Sequence, residues 1–367
     1  SISFKEKEIK EFVAALPYEL TKDQKVAAWE ILQDIAKSTP MNRLLEGDVG
    51  SGKTVVAALV MYNIALNNFQ AAIMAPTEIL ARQHFESLQN MYGETIRLAF
   101  VTGSVVELVH IESKEKTKKG KREELYSLVQ EGKIDILVGT HALLSEHITF
   151  KKLGLVIVDE QHRFGVAQRK EIKQQSGDAR TVPHFLSMTA TPIPRSFALS
   201  LYGDLDISII KQMPTGRKEI KTRVVDPHNR EKAYQFIRGQ IQEGRQAFVI
   251  CPLIEETAKN ASGSAEKKTV LAEYKKLSEK IFSDLRVEYL HGKMKAGDKE
   301  KIMRRFAEGE IDILVSTSVV EVGVDIPNAS VMMIEGAEHF GLAQLHQFRG
   351  RVGRAEHQSY CFIFTDS

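Results

Sequence analysis

Short apolar runs rich in β-branched residues alternate along the whole chain with stretches in which apolar residues recur every three to four positions. A continuous apolar run reads as a strand buried on both faces, and helix-period segments between such runs are the crossovers a parallel sheet requires. In the first half the strand-like runs are MNRLLE (41–46), AAIMAP (71–76), IRLAFV (96–101), IDILVGT (134–140), LVIVDE (155–160) and HFLSMTAT (184–191). VVAALVMYNIAL (55–66) and EILARQHFESLQNMY (78–92) have helical length and period. The second half restarts the alternation with QAFVICPL (246–253), VEYLHG (287–292), IDILVST (311–317), VMMIEG (331–336) and SYCFIF (359–364). Between the halves the pattern breaks at MPTGRKEI (213–220), where Pro and Gly mark a linker. The expectation is α/β: two tandem domains, 1–215 and 216–367, each a mostly parallel sheet flanked by helices. The near-copies IDILVGT and IDILVST give weak evidence of internal duplication, since any two buried parallel strands look alike. KNASGSAEKK (259–268) is polar and rich in small residues, and reads as a mobile surface loop.

Composition narrows this picture. At 367 residues the chain exceeds one ordinary core, and 43% hydrophobic with 27% charged residues is a water-soluble globular balance. The net charge of +2 leaves no general polybasic field, so any nucleic-acid site must come from local charge. The densest basic run, SKEKTKKGKR (113–122), reads on composition as a solvated loop or helix start. Cys251 and Cys361 lie inside apolar runs without C-x-x-C spacing, which argues against a zinc site or disulfide framework and suits a reducing cytosol. The most apolar helix is too short to cross a bilayer, so no membrane role is expected. No secretory signal opens the sequence, and a start at Ser1 suggests a piece of something longer.

The chemistry begins at GDVGSGKT. Gly47, Asp48, Val49, Gly50, Ser51, Gly52, Lys53 and Thr54 match G-x-x-x-x-G-K-T in full, between a short strand and a helix. Glycines let backbone N–H groups close around phosphate oxygens, and the following helix adds its positive end. Lys53 supplies charge to the β- and γ-phosphates, and the Thr54 hydroxyl is a Mg²⁺ ligand. Hydrolysis also needs a metal carboxylate and a group to polarise water. VIVDEQH offers both at a strand's carboxyl end: Asp159 for Mg²⁺ and Glu160 for the water. QFRGRVGR (347–354) adds arginines; if the two halves face each other, Arg351 and Arg354 are arginine-finger candidates.

These motifs, with LPYELTKDQ (16–24), MAPTEILARQH (74–84), VGTHALL (138–144), VDEQHRFGVAQR (158–169), MTATPIPRS (188–196), CPLIEE (251–256), LHGKM (290–294), STSVVEVGVDIPNAS (316–330) and GLAQLHQFRGRVGR (341–354), resemble in order the superfamily-two helicases, most closely their RecG branch. The resemblance implies two RecA-like domains, an ATP-binding one and a helicase C-terminal one, driven by ATP and Mg²⁺. It implies translocation on double-stranded DNA and remodelling of branched DNA in recombination and repair. Gln24 would then read adenine beside Tyr18, with Gln347 near the γ-phosphate and Asp325 near the ribose. Thr189 and Thr191 would link nucleotide state to DNA. The implied DNA track comprises Thr77, Arg82, Thr102, Gly103, Thr140, His141, Arg163 and Phe164 in the first half, and His291, Thr317 and Ser318 in the second. A bacterial cytoplasmic monomer, associated with the nucleoid when on DNA, is implied as well. The relatives' wedge domain before this core and helical hairpin after it have no counterpart in these 367 residues.

Overall fold

The computed structural model describes residues 2–48, 50–109, 118–119, 121–160, 166–176, 182–190, 205–211, 218–252, 262–317, 326–352 and 357–366. Val49, Arg163, Phe164, Thr191, Ser318, Asp325 and Arg354 lie outside them. The chain divides into two compact units, Ser1–Pro214 and Thr215–Ser367.

The first unit carries helices α1 (Glu6–Ala14), α2 (Lys22–Ile35), α3 (Lys53–Leu66), α4 (Glu78–Tyr92), α5 (Arg122–Gln130) and α6 (Val166–Gln175). Its strands are β1 (Asn42–Gly47), β2 (Gln70–Met74), β3 (Leu98–Val101), β4 (Val106–Val109), β5 (Lys118–Lys119), β6 (Ile136–Gly139), β7 (Leu153–Asp159), β8 (His184–Thr189) and β9 (Asp206–Ile210). They form one sheet in the order β5-β4-β3-β6-β2-β7-β8-β1-β9. Pairing is parallel from β3 to β9, while β4 and β5 extend the β3 edge antiparallel. Every residue of β2 and β7 is buried, as strands covered on both faces must be. Helix α3 is apolar all round and packs Val55 to Met61 into the interior.

The second unit contains β10 (Lys221–Val225), α7 (Arg230–Gln242), β11 (Gln246–Cys251), α8 (Ser262–Lys275), β12 (Val287–Leu290), α9 (Ala296–Ala307), β13 (Ile313–Thr317), β14 (Ala329–Ile334), α10 (Leu342–Arg349) and β15 (Tyr360–Phe364). Its sheet, β10-β15-β14-β11-β13-β12, is parallel throughout. One expectation fails here. From Ser262 on, the segment read as a surface loop forms the start of helix α8. Ala, Glu and Lys are strong helix formers, and the apolar residues Val270 and Leu277 further along anchor the segment to the core. No helix among the described residues is long and apolar enough to cross a membrane.

The two IDILV strands occupy matching positions down to single hydrogen bonds. In the first unit Gln70, at the start of β2, donates its side-chain amide to the carbonyls of Val129 and Ile134, both at 2.9 Å. In the second, Gln246 at the start of β11 donates to Phe306 and Ile311 at 2.6 and 2.7 Å. Each amide joins a helix end to the residue leading into the next strand. Beside it, Arg97 grips Asp135 through its backbone N–H, Nε and Nη2, and Arg286 grips Asp312 through the same three donors. Side-chain registry this detailed is stronger support for duplication than strand composition.

Candidate nucleotide site and nucleic-acid track

The phosphate-binding loop sits between β1 and α3, as the motif requires. Gly50 and Gly52 have φ of +75° and +89°, the left-handed conformation that turns successive N–H groups toward one side. A Cβ on Gly52 would lie 1.9 Å from Nε2 of Gln24, and one on Gly47 2.5 Å from Oγ of the fully buried Ser51. Neither position tolerates a side chain without rearrangement. Lys53 donates from Nζ to the carbonyls of Gly47 at 2.5 Å and Asp48 at 3.1 Å, so its ammonium lies across the loop. Thr54 follows in the first turn of α3.

Gln24 forms the roof of this loop. It closes a capping box with Thr21 at the start of α2: Oε1 accepts from Thr21 N at 2.9 Å, and the Thr21 hydroxyl accepts from Gln24 N. Its Nε2 donates to Ser51 O at 2.8 Å and keeps a second hydrogen for another acceptor. Tyr18, half exposed, precedes the same helix.

At the end of β7 the two acids have different surroundings. Asp159 is buried, and its Oδ2 lies 2.6 Å from Nε2 of His84 on α4, itself buried. Glu160 adopts φ +52°, and its backbone N–H donates to Met188 O at 3.0 Å. Its Oε1 accepts from Ala190 N at 2.7 Å, tying it to the turn after β8 that begins with buried Thr189. Burial first, and the Asp159 charge second, push the Glu160 carboxyl up to about 7, against the opposing pull of Lys53, the Ala190 N–H and His84. A carboxyl poised there can accept a proton near neutrality.

The proposed DNA-facing turns emerge from the carboxyl ends of β2, β3 and β6. Thr77 caps α4, accepting from Leu80 N at 3.3 Å. Gly103 and His141 are exposed, and Thr140 is half buried at the entry to a 3₁₀ turn. Two candidates also make internal contacts. Arg82 donates to Glu107 at 2.9 Å and lies 4.1 Å over the Phe100 ring, which makes it a strut between α4 and β4. Thr102 is buried, and its hydroxyl accepts from the N–H groups of Ser104 and Val105. Sequence reasoning also missed Arg122. This last residue of the basic run donates to the carbonyls of Thr102 and Gly103 at 2.7 and 2.6 Å, and Ser104 donates to Glu78, so the two turns are cross-braced.

In the second unit His291 stacks on Tyr289, and Thr317 is buried at the end of β13. Arg351 is buried with its guanidinium 6.0 Å from the Phe348 ring. Gln347 lies on α10, with its side chain outside the described atoms.

Comparison with known proteins agrees with this arrangement. The family model for DEAD/DEAH box helicases matches residues 21–198, and that for the helicase conserved C-terminal domain matches 229–356. ATP-dependent DNA helicase RecG of Synechocystis sp. is 47% identical over 98% of this chain and 41% of its own length. RecG of Bacillus subtilis is 45% identical over 99% of the chain and 50% of its own length. The chain thus spans about half the length of the curated relatives it matches. A solved structure of RecG bound to a three-way DNA junction superposes with a TM-score of 0.81 at 41% identity, covering all of this chain and 46% of that one. Dbp5 of Saccharomyces cerevisiae bound to RNA, at 19% identity and a TM-score of 0.63, shares the fold. With its phosphate loop, its paired acids and its two tandem helicase domains, the chain belongs to the RecG family of superfamily-two helicases.

Proposed function

We propose that this chain is an ATP-driven motor core that translocates on double-stranded DNA and remodels branched DNA such as stalled forks and junctions. The observation that carries the reading is the convergence in one unit of the Lys53 loop, buried Asp159 and half-buried Glu160, with Glu160 bonded to the turn that follows β8. RecG relatives named ATP-dependent DNA helicases, one of them solved on a three-way junction, support the choice of substrate. In this reading the loop N–H groups and Lys53 bind the triphosphate, and Gln24 offers its remaining N–H to the adenine. Glu160 accepts a proton from the attacking water.

Magnesium fits the donor set. Thr54 hydroxyl and Asp159 carboxylate are hard oxygen ligands, and Mg²⁺ is commonly held by one or two carboxylates, phosphate oxygens and water. Among the described residues no cluster of three His, Cys, Asp or Glu forms a metal cage, so these two side chains would hold the ion together with the nucleotide. The ion would supply charge neutralisation at the phosphates.

DNA would be gripped mainly through phosphates at Thr77, Gly103, Thr140 and His141, with Arg82, Thr102 and Arg122 holding those turns in place. The chain acts as a monomer in the bacterial cytoplasm in this account. The test measures ATP hydrolysis with forked DNA, linear duplex and RNA at several salt concentrations. Strongest stimulation by forked DNA, lost steeply as salt rises, is expected. Equal or greater stimulation by RNA would replace this reading with that of an RNA remodeller.

A further inference from the structure

Helix α4 places one histidine where no packing argument requires it. His84 lies on the buried face with Leu80, Ala81, Phe85 and Leu88, where an apolar residue would fill the space at less cost. Instead its Nε2 reaches 2.6 Å to Oδ2 of Asp159, 75 positions away in sequence. An ionised carboxylate can only accept, so the imidazole donates and carries its proton on Nε2. Both side chains are about nine-tenths buried. That burial makes the bond hard to replace with water, and it stops the carboxylate from turning about its broad, twofold χ2.

We infer that His84 is the positioning residue of Asp159: it holds Oδ2, and so presents Oδ1 as the oxygen available to a hydrated divalent cation. The inference rests on the reading of Asp159 as the metal carboxylate. Partners that orient a metal ligand commonly contribute 10- to 100-fold in metal affinity. His84 touches neither nucleotide phosphate nor the reacting water in this account, and acts through Asp159 alone.

The experiment titrates Mg²⁺ against binding of a fluorescent, non-hydrolysable ATP analogue, with binding in EDTA as the baseline. His84→Leu keeps the volume and removes the donor; His84→Gln keeps an N–H at comparable reach. For His84→Leu the Mg²⁺ midpoint should rise roughly 10- to 100-fold while binding in EDTA stays at the parent level. His84→Gln should return the midpoint to within a few-fold of the parent. A midpoint for His84→Leu within twofold of the parent overturns the inference. Should His84→Leu fail to fold, His84→Gln against the shorter His84→Asn decides: equal midpoints overturn it, and a higher one for Asn supports it. A parent chain whose analogue binding ignores Mg²⁺ would instead sink the metal reading of the site, and the inference with it.

Discussion

The paired glutamines offer a quantitative test of how each unit is held together. Gln70 is 5% exposed and makes three bonds: two from Nε2 to Val129 and Ile134, and one accepted by Oε1 from Lys152 N at 3.0 Å. In Gln70→Leu, Val129 O keeps the N–H of Gly132, but Ile134 O and Lys152 N lose their amide partner. One buried group, Ile134 O, and one part-buried group, Lys152 N, are left short at about 1–3 kcal/mol each, with the part-buried one at the low end; offset in part by the more apolar side chain, the loss is about 3 kcal/mol. Gln246 is 3% exposed and donates to two carbonyls, and Phe306 O keeps the N–H of Gly309. Gln246→Leu therefore leaves one group short, a loss of about 1–2 kcal/mol. The assay separates the units because the sole tryptophan, Trp29, lies in the first and packs edge-on against Phe4 at 5.6 Å. Trp fluorescence in urea follows the first unit, and far-ultraviolet circular dichroism follows both. Gln70→Leu should lower the fluorescence midpoint by about 1 M, taking a slope near 3 kcal/mol per molar for a unit this size. Gln246→Leu should move only the dichroism transition. A fluorescence midpoint for Gln70→Leu within about 0.2 M of the parent would refute the lock. Equal fluorescence shifts from both variants would refute its assignment to separate units.

The other expectations concern the site and one buried acid. Lys53→Ala should abolish ATP hydrolysis, since the loop then lacks its charge on the phosphates; turnover at the parent rate in a steady-state assay would contradict the phosphate-loop assignment. Glu160→Gln should retain nucleotide in a binding assay while slowing turnover roughly 10²- to 10⁴-fold, because the amide oxygen can still accept from Ala190 N but cannot take a proton. Glu273 on α8 is held up to about 7 by burial and then by the Glu335 charge. Between its ordinary value of 4.5 and about 7, the folded state holds a proton that the unfolded state releases, so stability falls as pH rises through that window. Glu273→Gln should match the parent at pH 4.5 and exceed it by about 3 kcal/mol at pH 8 in urea titrations followed by circular dichroism; equal stabilities at pH 8 would count against this.

Sequence and structure agree where physics makes a residue's role local. Buried parallel strands announce themselves as unbroken apolar runs, and β2, β7, β11 and β14 fall where the pattern put them. Two edge strands do not: β10 reads KTRVV with four exposed residues, and β9 carries exposed Asp206 and Ile209. Their strand character comes from the neighbour they pair with, which no window of sequence contains. The same distinction divides the site. GDVGSGKT is legible because its whole signature lies in one contiguous loop. His84, Arg122 and Gln70 are not, because each acts on a partner 19 to 75 positions away, and alone they look like core filler, a solvated charge and a strand-start polar residue.

Helix α4 has a mechanical consequence. Thr77 caps its first turn and His84 follows seven positions later, which at 1.5 Å per residue is about 10 Å along the axis. A hydrogen-bonded helix is stiff over that distance, so a displacement at one point on it is carried to the other with little loss. The His84–Asp159 bond, near the middle of the helix, is a catch with little travel: from 2.6 Å it weakens within about 0.6 Å of further separation. A footing taken up or lost at Thr77 would thus arrive at the carboxylate as a seated or lifted catch. A flexible loop in the same place would absorb so small a stroke before it reached the acid.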